Sequence, residues 1–202
     1  PVNLSLYAQY RAANKNPEAM RRLLAAAGAA QLPPAPSPLK AKGFVQRMTS
    51  EESHALYRAA REAADIIQRV FPDRWWLSHG SLLGAWRQRG VIPWDDDVDL
   101  AVPREEIDKL QTTAEAEGWE MRRGGPFAWK MWHPSHAMHG HSRSFTWPFV
   151  DLALYDHCGE HIIVEHDYHS QVSVFNARDV LPTQTAPFGP LALPLPARPE
   201  VM

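Results

Sequence analysis

An acidic run that passes directly into an apolar alternation is the feature that most restricts the fold of this chain. The run reads DDDVDLAV over residues 95–102, and successive side chains of a strand point to opposite faces. A strand at its end places Asp97 and Asp99 on one face and directs the apolar residues between and after them toward a core. Two such carboxylates in low-dielectric surroundings repel each other. A hard cation offsets the repulsion, Mg²⁺ first and Mn²⁺ second, although acidic runs are also typical of solvated turns.

A further carboxylate interrupts an apolar stretch much later in the chain. In WPFVDLALY, residues 147–155, Asp151 stands where a buried strand favours valine or isoleucine. We predict that this stretch meets the acidic run in space and that the carboxylates of both hold a metal ion.

A Gly-Ser pair precedes the acidic run. Gly80 and Ser81 begin GSLLGAWRQR, residues 80–89, which has the pattern of a turn that opens a helix. The backbone N–H groups and the positive dipole end of a helix N-terminus favour a phosphate group. Mg²⁺ usually takes one or two carboxylates and fills its other positions with water and substrate phosphates. The turn and the acids together therefore indicate a phosphorylated ligand.

The order of helical and strand patterns predicts an α/β (α+β) domain with one small mixed sheet flanked by helices. We divide the chain into an N-terminal helical extension over 1–30, a Pro-rich linker over 31–49 and one domain over 50–202. Residues 50–71 have apolar positions at helical spacing, with Ser50 as the expected N-cap, and Pro103 is expected to start a later helix. The expected strands are 75–80, 97–102, 127–133, 146–156 and 161–167, and the Pro-rich tail is expected to be irregular.

The composition excludes some classes of function. The net charge is −2 and no basic run occurs, so nucleic acid is not an expected partner. The single cysteine, Cys158, allows no intrachain disulfide and no cysteine-based zinc site. It fits a reducing, cytoplasmic setting. No stretch has the apolar length of a transmembrane helix.

The stretch GSLLGAWRQRGVIPWDDDVDLAV, residues 80–102, resembles the signature of the LicD family, which belongs to the nucleotidyltransferase fold superfamily. The shared pattern is roughly G-[ST]-L-L-G-x-x-R-x-x-x-x-I-P-W-D-x-D-[VI]-D, and every one of its positions is matched. WPFVDLALY is similar to the later acidic strand of the family, and the resemblance covers roughly residues 50–200. It implies a phosphotransferase that moves a phospho-alcohol, such as phosphocholine, phosphoribitol or phosphoglycerol, from a CDP-linked donor to a glycan hydroxyl.

The resemblance also implies roles for single residues. Asp97 and Asp99 would hold the metal, and Asp151 would complete the site or act as base on the acceptor hydroxyl. Asp95 would either support the metal ligands without contacting the metal or bind the substrate. Arg87 and Lys130 are candidates for binding the diphosphate, with a salt bridge to the acidic strand as the equal alternative for Arg87.

Several alternatives stay open at this point. The first is a nucleotidyltransferase that uses NTP on a small acceptor, and the second is an inactive binding or scaffold domain. A loop that contains His133, His136, His139 and His141 is interpreted as a lid or acceptor-binding loop rather than a zinc site. The acceptor is expected to be a cell-surface glycan or its lipid-linked precursor, so that contact with the inner membrane comes through the substrate. The family's closing helix is expected after the tail, which predicts a C-terminal truncation.

Overall fold

The computed structural model describes residues 48–123, 128–138, 145–165 and 172–202. The predicted N-terminal extension and almost all of the predicted linker lie outside the described residues, as do His139 and His141. Within them there are four helices: α1 (Ser50–Val70), α2 (His79–Gln88), α3 (Ile107–Ala116) and the short α4 (Ala177–Val180). None of the described helices has both the length and the apolar character that a membrane crossing requires.

Seven strands of the described chain form one mixed sheet: β1 (Trp76–Leu77), β2 (Val98–Pro103), β3 (Glu120–Arg123), β4 (Ala128–Trp132), β5 (Phe149–Cys158), β6 (His161–Glu165) and β7 (Val172–Asn176). The spatial order is β1-β2-β5-β4-β3, and β6 joins the C-terminal half of β5 and continues to β7. Only the β2–β5 pair is parallel among these pairings. The predicted class, a small mixed sheet flanked by helices, is confirmed.

The long strand β5 is at the centre of the sheet and fixes the register of its neighbours. Its residue Asp151 lies opposite Asp99 of β2 on one side and opposite Lys130 of β4 on the other. Three charged side chains from three strands therefore stand in one row across the sheet.

The two faces of β2 and β5 bury different sets of residues. Val98, Leu100 and Val102 are fully buried in the main core, together with the apolar face of α1. Ala101 and Ala153, which alternate with them, belong to a smaller core on the opposite face. Asp99 and Asp151 stand two residues before these alanines, so they share that opposite face.

Helix α1 begins one residue earlier than the predicted cap allows. Thr49, not Ser50, is the N-cap: its hydroxyl accepts a hydrogen bond from the N–H of Glu52, whose carboxylate accepts from the N–H of Thr49. Such a reciprocal pair satisfies two of the free donors at a helix start.

The tail was predicted to be irregular, and this is wrong. Strands β8 (Gln184–Phe188) and β9 (Leu191–Leu195) form an antiparallel hairpin. Its prolines are tolerated because each strand of a two-stranded hairpin has one edge without ladder partners. Pro103 is also not a helix start, because it is the last residue of β2 and lies opposite Tyr155 of β5.

Candidate active site

Three carboxylates from two parallel strands and the turn before them meet at one point. Asp97 directly precedes β2, Asp99 lies within it, and Asp151 lies on β5. Each offers one oxygen atom, and these atoms all lie within 4.8 Å of one another. The three residues are half-buried. The structure thus brings together the three acids on which the sequence prediction depends.

Asp95 extends this cluster toward the preceding turn. Asp95, Asp96 and Asp97 form a second group whose carboxylate oxygens lie within 4.8 Å of one another, and Asp97 belongs to both groups. Asp96 is the exposed member. Its backbone carbonyl accepts a hydrogen bond of 2.6 Å from the indole N–H of buried Trp147, which fixes the acidic turn against the domain.

The N-terminus of α2 is joined directly to the acidic strand. The Ser81 hydroxyl accepts a hydrogen bond of 2.9 Å from the N–H of Asp99, and the N–H of Ser81 donates one of 3.3 Å to Asp99 Oδ2. Gly80 allows the close approach, since a Cβ at this position would lie 2.6 Å from Asp95 Oδ2. The predicted Gly-Ser turn therefore faces the carboxylates with its backbone.

Burial and mutual repulsion disfavour the ionised forms of these carboxyl groups. Burial, followed by the charge of Asp151, raises the pKa of Asp97 to about 7. Burial and the neighbouring Asp97 raise the pKa of Asp99 well above its ordinary value. Burial and the charge of Asp96 also raise the pKa of Asp95. A cation among the acids would reverse this situation, because it stabilises the ionised forms.

The donor set fits a hard divalent cation. Every ligand atom is a carboxylate oxygen, the type that Mg²⁺ and Mn²⁺ prefer over nitrogen or sulfur. A cation held by these carboxylates keeps coordination positions for phosphate oxygens, as Mg²⁺ sites commonly do.

Lys130 lies beside the third acid rather than at the helix N-terminus. Its ammonium donates to both oxygens of Asp151, at 2.7 and 2.8 Å, and lies 3.9 Å from the centre of the Phe149 ring. The side chains of Lys130 and Asp151 are 18% and 21% exposed, so this ion pair is largely shielded from solvent. The role predicted for Lys130, binding a diphosphate, stays a prediction and requires the ammonium to be shared with Asp151.

Arg87 lies far from the acids along α2. It is exposed in the last turn of the helix, about 12 Å along the axis from His79 at 1.5 Å per residue. Its predicted role as a diphosphate ligand stays a prediction. Arg87 lines a cavity that the sequence did not indicate.

Of the four clustered histidines, two lie in the described part of the chain. The rings of His133 and His136 stack with centroids 4.6 Å apart, and both rings contact Trp119 edge-on. His136 Nε2 also lies 3.4 Å from a carboxylate oxygen of Glu62 on α1. These contacts tie this segment to the helical layer.

The sequence interpretation missed the walls of a cavity of about 500 Å³ that opens beside the start of α2. Its nearer wall is one face of α2, and its farther wall comes from β6, β7 and the C-terminal segment. Ser173 and Phe175 line it from β7, a strand that was not among those expected from the sequence.

A mixed sheet with paired acids on adjacent strands and a Gly-Ser turn beside them defines a nucleotidyltransferase-type domain. The comparison with family models agrees with this class. Residues 73–198 match the model described as LicD/FKTN/FKRP, nucleotidyltransferase domain, so the chain belongs to this family.

Similar proteins are found in animals and bacteria. The chain is 33% identical over 101 residues to the ribitol 5-phosphate transferase FKRP of Mus musculus and equally to that of Homo sapiens, over 46% of this chain and 20% of each relative. It is 31% identical over 65 residues to an uncharacterized protein of Rickettsia prowazekii, over 32% of this chain and 24% of that protein. The chain thus matches only a fraction of the length of these relatives.

Among solved structures, the lincosamide antibiotic adenylyltransferase LnuA with bound lincomycin is similar with a TM-score of 0.46 and 12% identity, over 75% of this chain and 82% of that chain.

Proposed function

We propose that the chain carries a metal-dependent transferase site that moves a phospho-alcohol from a CDP-activated donor to a glycan hydroxyl. The observation that carries the proposal is the meeting of Asp97, Asp99 and Asp151 within 4.8 Å beside the N-terminus of α2. Membership of the family and the similarity to ribitol 5-phosphate transferases support this type of chemistry. The candidate alcohols are phosphoribitol, phosphoglycerol and phosphocholine.

Asp97, Asp99 and Asp151 would hold Mg²⁺ or Mn²⁺, with Asp95 as a neighbouring ligand of metal or substrate. When bound, such a cation neutralises the diphosphate and stabilises the negative charge that develops on the leaving nucleotide. The N-terminus of α2 at Gly80 and Ser81 would lie beside the same phosphates, with the N–H of Ser81 hydrogen-bonded to Asp99 Oδ2.

The transfer itself requires positioning more than covalent catalysis. The acceptor oxygen attacks the phosphorus of the phospho-alcohol, the bond from that phosphorus to the oxygen of CMP breaks, and CMP leaves. Asp151 either completes the metal site or accepts the proton of the acceptor hydroxyl. Lys130 holds the Asp151 carboxylate in orientation through two hydrogen bonds.

The proposed acceptor is a glycan or a lipid-linked glycan, which would bring the protein to a membrane through its substrate. Nucleic acid is not a proposed partner, because the net charge of −2 gives no general attraction to a polyanion.

The test is a binding and turnover panel with CDP-ribitol, CDP-glycerol and CDP-choline, plus CTP and UDP, each with and without Mn²⁺. A ligand that binds only the native state at a hundredfold excess over Kd adds about 2.7 kcal/mol of stability. We expect a cation-dependent rise in melting temperature with a cytidine diphosphate donor and release of CMP when a glycan acceptor is present.

The matched variants are Asp97→Asn at the site and Asp65→Asn on the exposed surface of α1. The response should disappear in the first and persist in the second. Release of diphosphate from CTP in place of CMP from the donors would favour the nucleotidyltransferase alternative. Absence of any nucleotide response in the wild type would refute the donor assignment.

A further inference from the structure

The cavity beside α2 is a feature that the carboxylate site leaves unused. Its volume of about 500 Å³ lies within the range of small-molecule sites. One wall is the face of α2 that carries His79, Leu83, Trp86 and Arg87, and Glu200 of the C-terminal segment lies on the opposite side.

One end of this cavity adjoins the acidic cluster. Ser78 and His79 line it, and Ser81, one turn further, is hydrogen-bonded to Asp99. From His79 to Trp86 the helix advances about 10 Å at 1.5 Å per residue. This length is comparable with the span of a nucleotide from its 5′-phosphate to the far edge of its base.

Two large apolar side chains are exposed on the α2 wall of the cavity. Leu83 and Trp86 are 39% and 58% exposed, and they are two of the four large apolar side chains that the described residues expose. An accessible indole offers a flat face on which a base can stack. The guanidinium of Arg87 and the carboxylate of Glu200 add a donor and an acceptor at the rim.

The α2 wall is the feature that favours the donor over the acceptor as the ligand of this cavity. Across the sheet the sequence of groups is α2, Asp99 on β2, Asp151 on β5 and Lys130 on β4. An acceptor hydroxyl that is activated by Asp151 has to lie on the Asp151 side of the cluster. One wall of the cavity is α2, whose N-terminus would hold the donor phosphates, and the other wall includes β6 and β7, which join the sheet through β5.

We infer that the cavity between α2, β7 and the C-terminal segment binds the nucleoside of the activated donor, with its base stacked on Trp86. This inference rests on the proposed function, since it assigns a place to the donor of that reaction. Glu200 and Met202 of the C-terminal segment also line this cavity.

The experiment measures by calorimetry, in the presence of Mn²⁺, the affinity of the full chain for CMP and for ribose 5-phosphate, which has no base. The variants are Trp86→Ala, Trp86→Phe and Trp94→Ala, since Trp94 is 59% exposed and serves as the matched indole. Stacking of a base on an aromatic ring corresponds to a loss of roughly 5- to 140-fold in affinity on alanine substitution. We expect this loss for CMP in Trp86→Ala, a smaller one in Trp86→Phe, and unchanged binding of ribose 5-phosphate in both.

Three results overturn the inference. The first is an unchanged CMP affinity in Trp86→Ala. The second is an equal loss of affinity for CMP and for ribose 5-phosphate, and the third is a loss of CMP affinity in Trp94→Ala instead of Trp86→Ala. If CDP-alcohol turnover by the wild type is observed alongside any of these, the cavity assignment fails while the proposed function stands. If the wild type binds no nucleotide with Mn²⁺, the proposed function fails, and the assignment fails with it.

Discussion

Replacing Ser81 by alanine tests the link between α2 and the acidic strand. The hydroxyl of Ser81, which is 2% exposed, accepts the N–H of Asp99 at 2.9 Å. Alanine leaves this donor without its acceptor, and an unsatisfied buried donor costs about 1–3 kcal/mol. For a protein of this size that is a fall of roughly 2–12 °C in melting temperature. The N–H of residue 81 still donates to Asp99 Oδ2, so the carboxylate is loosened rather than released.

The matched control is Ser78→Ala. Ser78 is also buried, at 5%, but among the described residues its hydroxyl contacts the adjacent imidazole of His79 at 2.9 Å and not the acidic strand, to which Ser78 is joined by its backbone N–H donating to the carbonyl of Asp99. Because His79 is exposed, water replaces the lost contact and we expect a smaller effect.

Two measurements separate the variants: unfolding in urea for stability, and titration with Mn²⁺ followed by electron paramagnetic resonance for affinity. Residues that orient metal ligands typically contribute 10- to 100-fold to metal affinity, so Ser81→Ala should weaken Mn²⁺ binding by about tenfold. Equal losses of stability and of Mn²⁺ affinity in both variants would refute the reasoning, because they would show that the Asp99 hydrogen bond has no special role.

Three further predictions concern charge and packing. Burial raises the pKa of Asp97 to about 7, above its ordinary value of 3.8. Between about pH 4 and 7 the native metal-free protein therefore holds a proton that the unfolded chain has released, so the stability contributed by this group falls as pH rises through that range. Asp97→Asn should remove that part of the fall in stability, and equal slopes of stability against pH for wild type and variant in EDTA would contradict the prediction. Arg104→Met removes a guanidinium that lies 2.8 Å from the carboxylate of Glu165, a side chain that is 1% exposed. The loss should destabilise the fold by about 3–5 kcal/mol in urea unfolding. A loss below about 1 kcal/mol would show that this ion pair does not stabilise the fold. Gly84→Ala should destabilise the protein by about 1–3 kcal/mol despite a better helix propensity, because its Cβ would meet the backbone carbonyl of Gly90; an unchanged melting temperature would show that the loop yields.

Local patterns were sufficient to place the acids. Alternation identified the strand that carries Asp99, and a charge within an apolar run identified Asp151, so one cluster was predictable from two short stretches. The ion pair of Lys130 with Asp151 was not predictable, because it depends on the antiparallel register of β4 and β5. No local pattern encodes which residues of two distant strands lie side by side.

The cavity was hidden from the sequence for a related reason. Its farther wall includes β7 and the residues after the β8–β9 hairpin, and the tail was predicted to be irregular from its proline content. The number of prolines shows how many backbone N–H donors a segment lacks. It does not show whether a donor at those positions would have had a hydrogen-bond partner. In this hairpin, Pro187 lies opposite Ala192 and Pro194 opposite Thr185 without breaking the pairing.

The parallel register that sets Asp99 opposite Asp151 also limits how this chain can change over evolution. Side chains alternate between faces with a period of two, so deleting one residue at the start of β5 would turn Asp151 toward the main core and bring an apolar neighbour to the acidic face. Such a deletion would remove the third acid and bury a charge in the same event. Length changes between β2 and β5 are therefore expected to accumulate in the connecting segments, while the spacing within each of the two strands stays fixed.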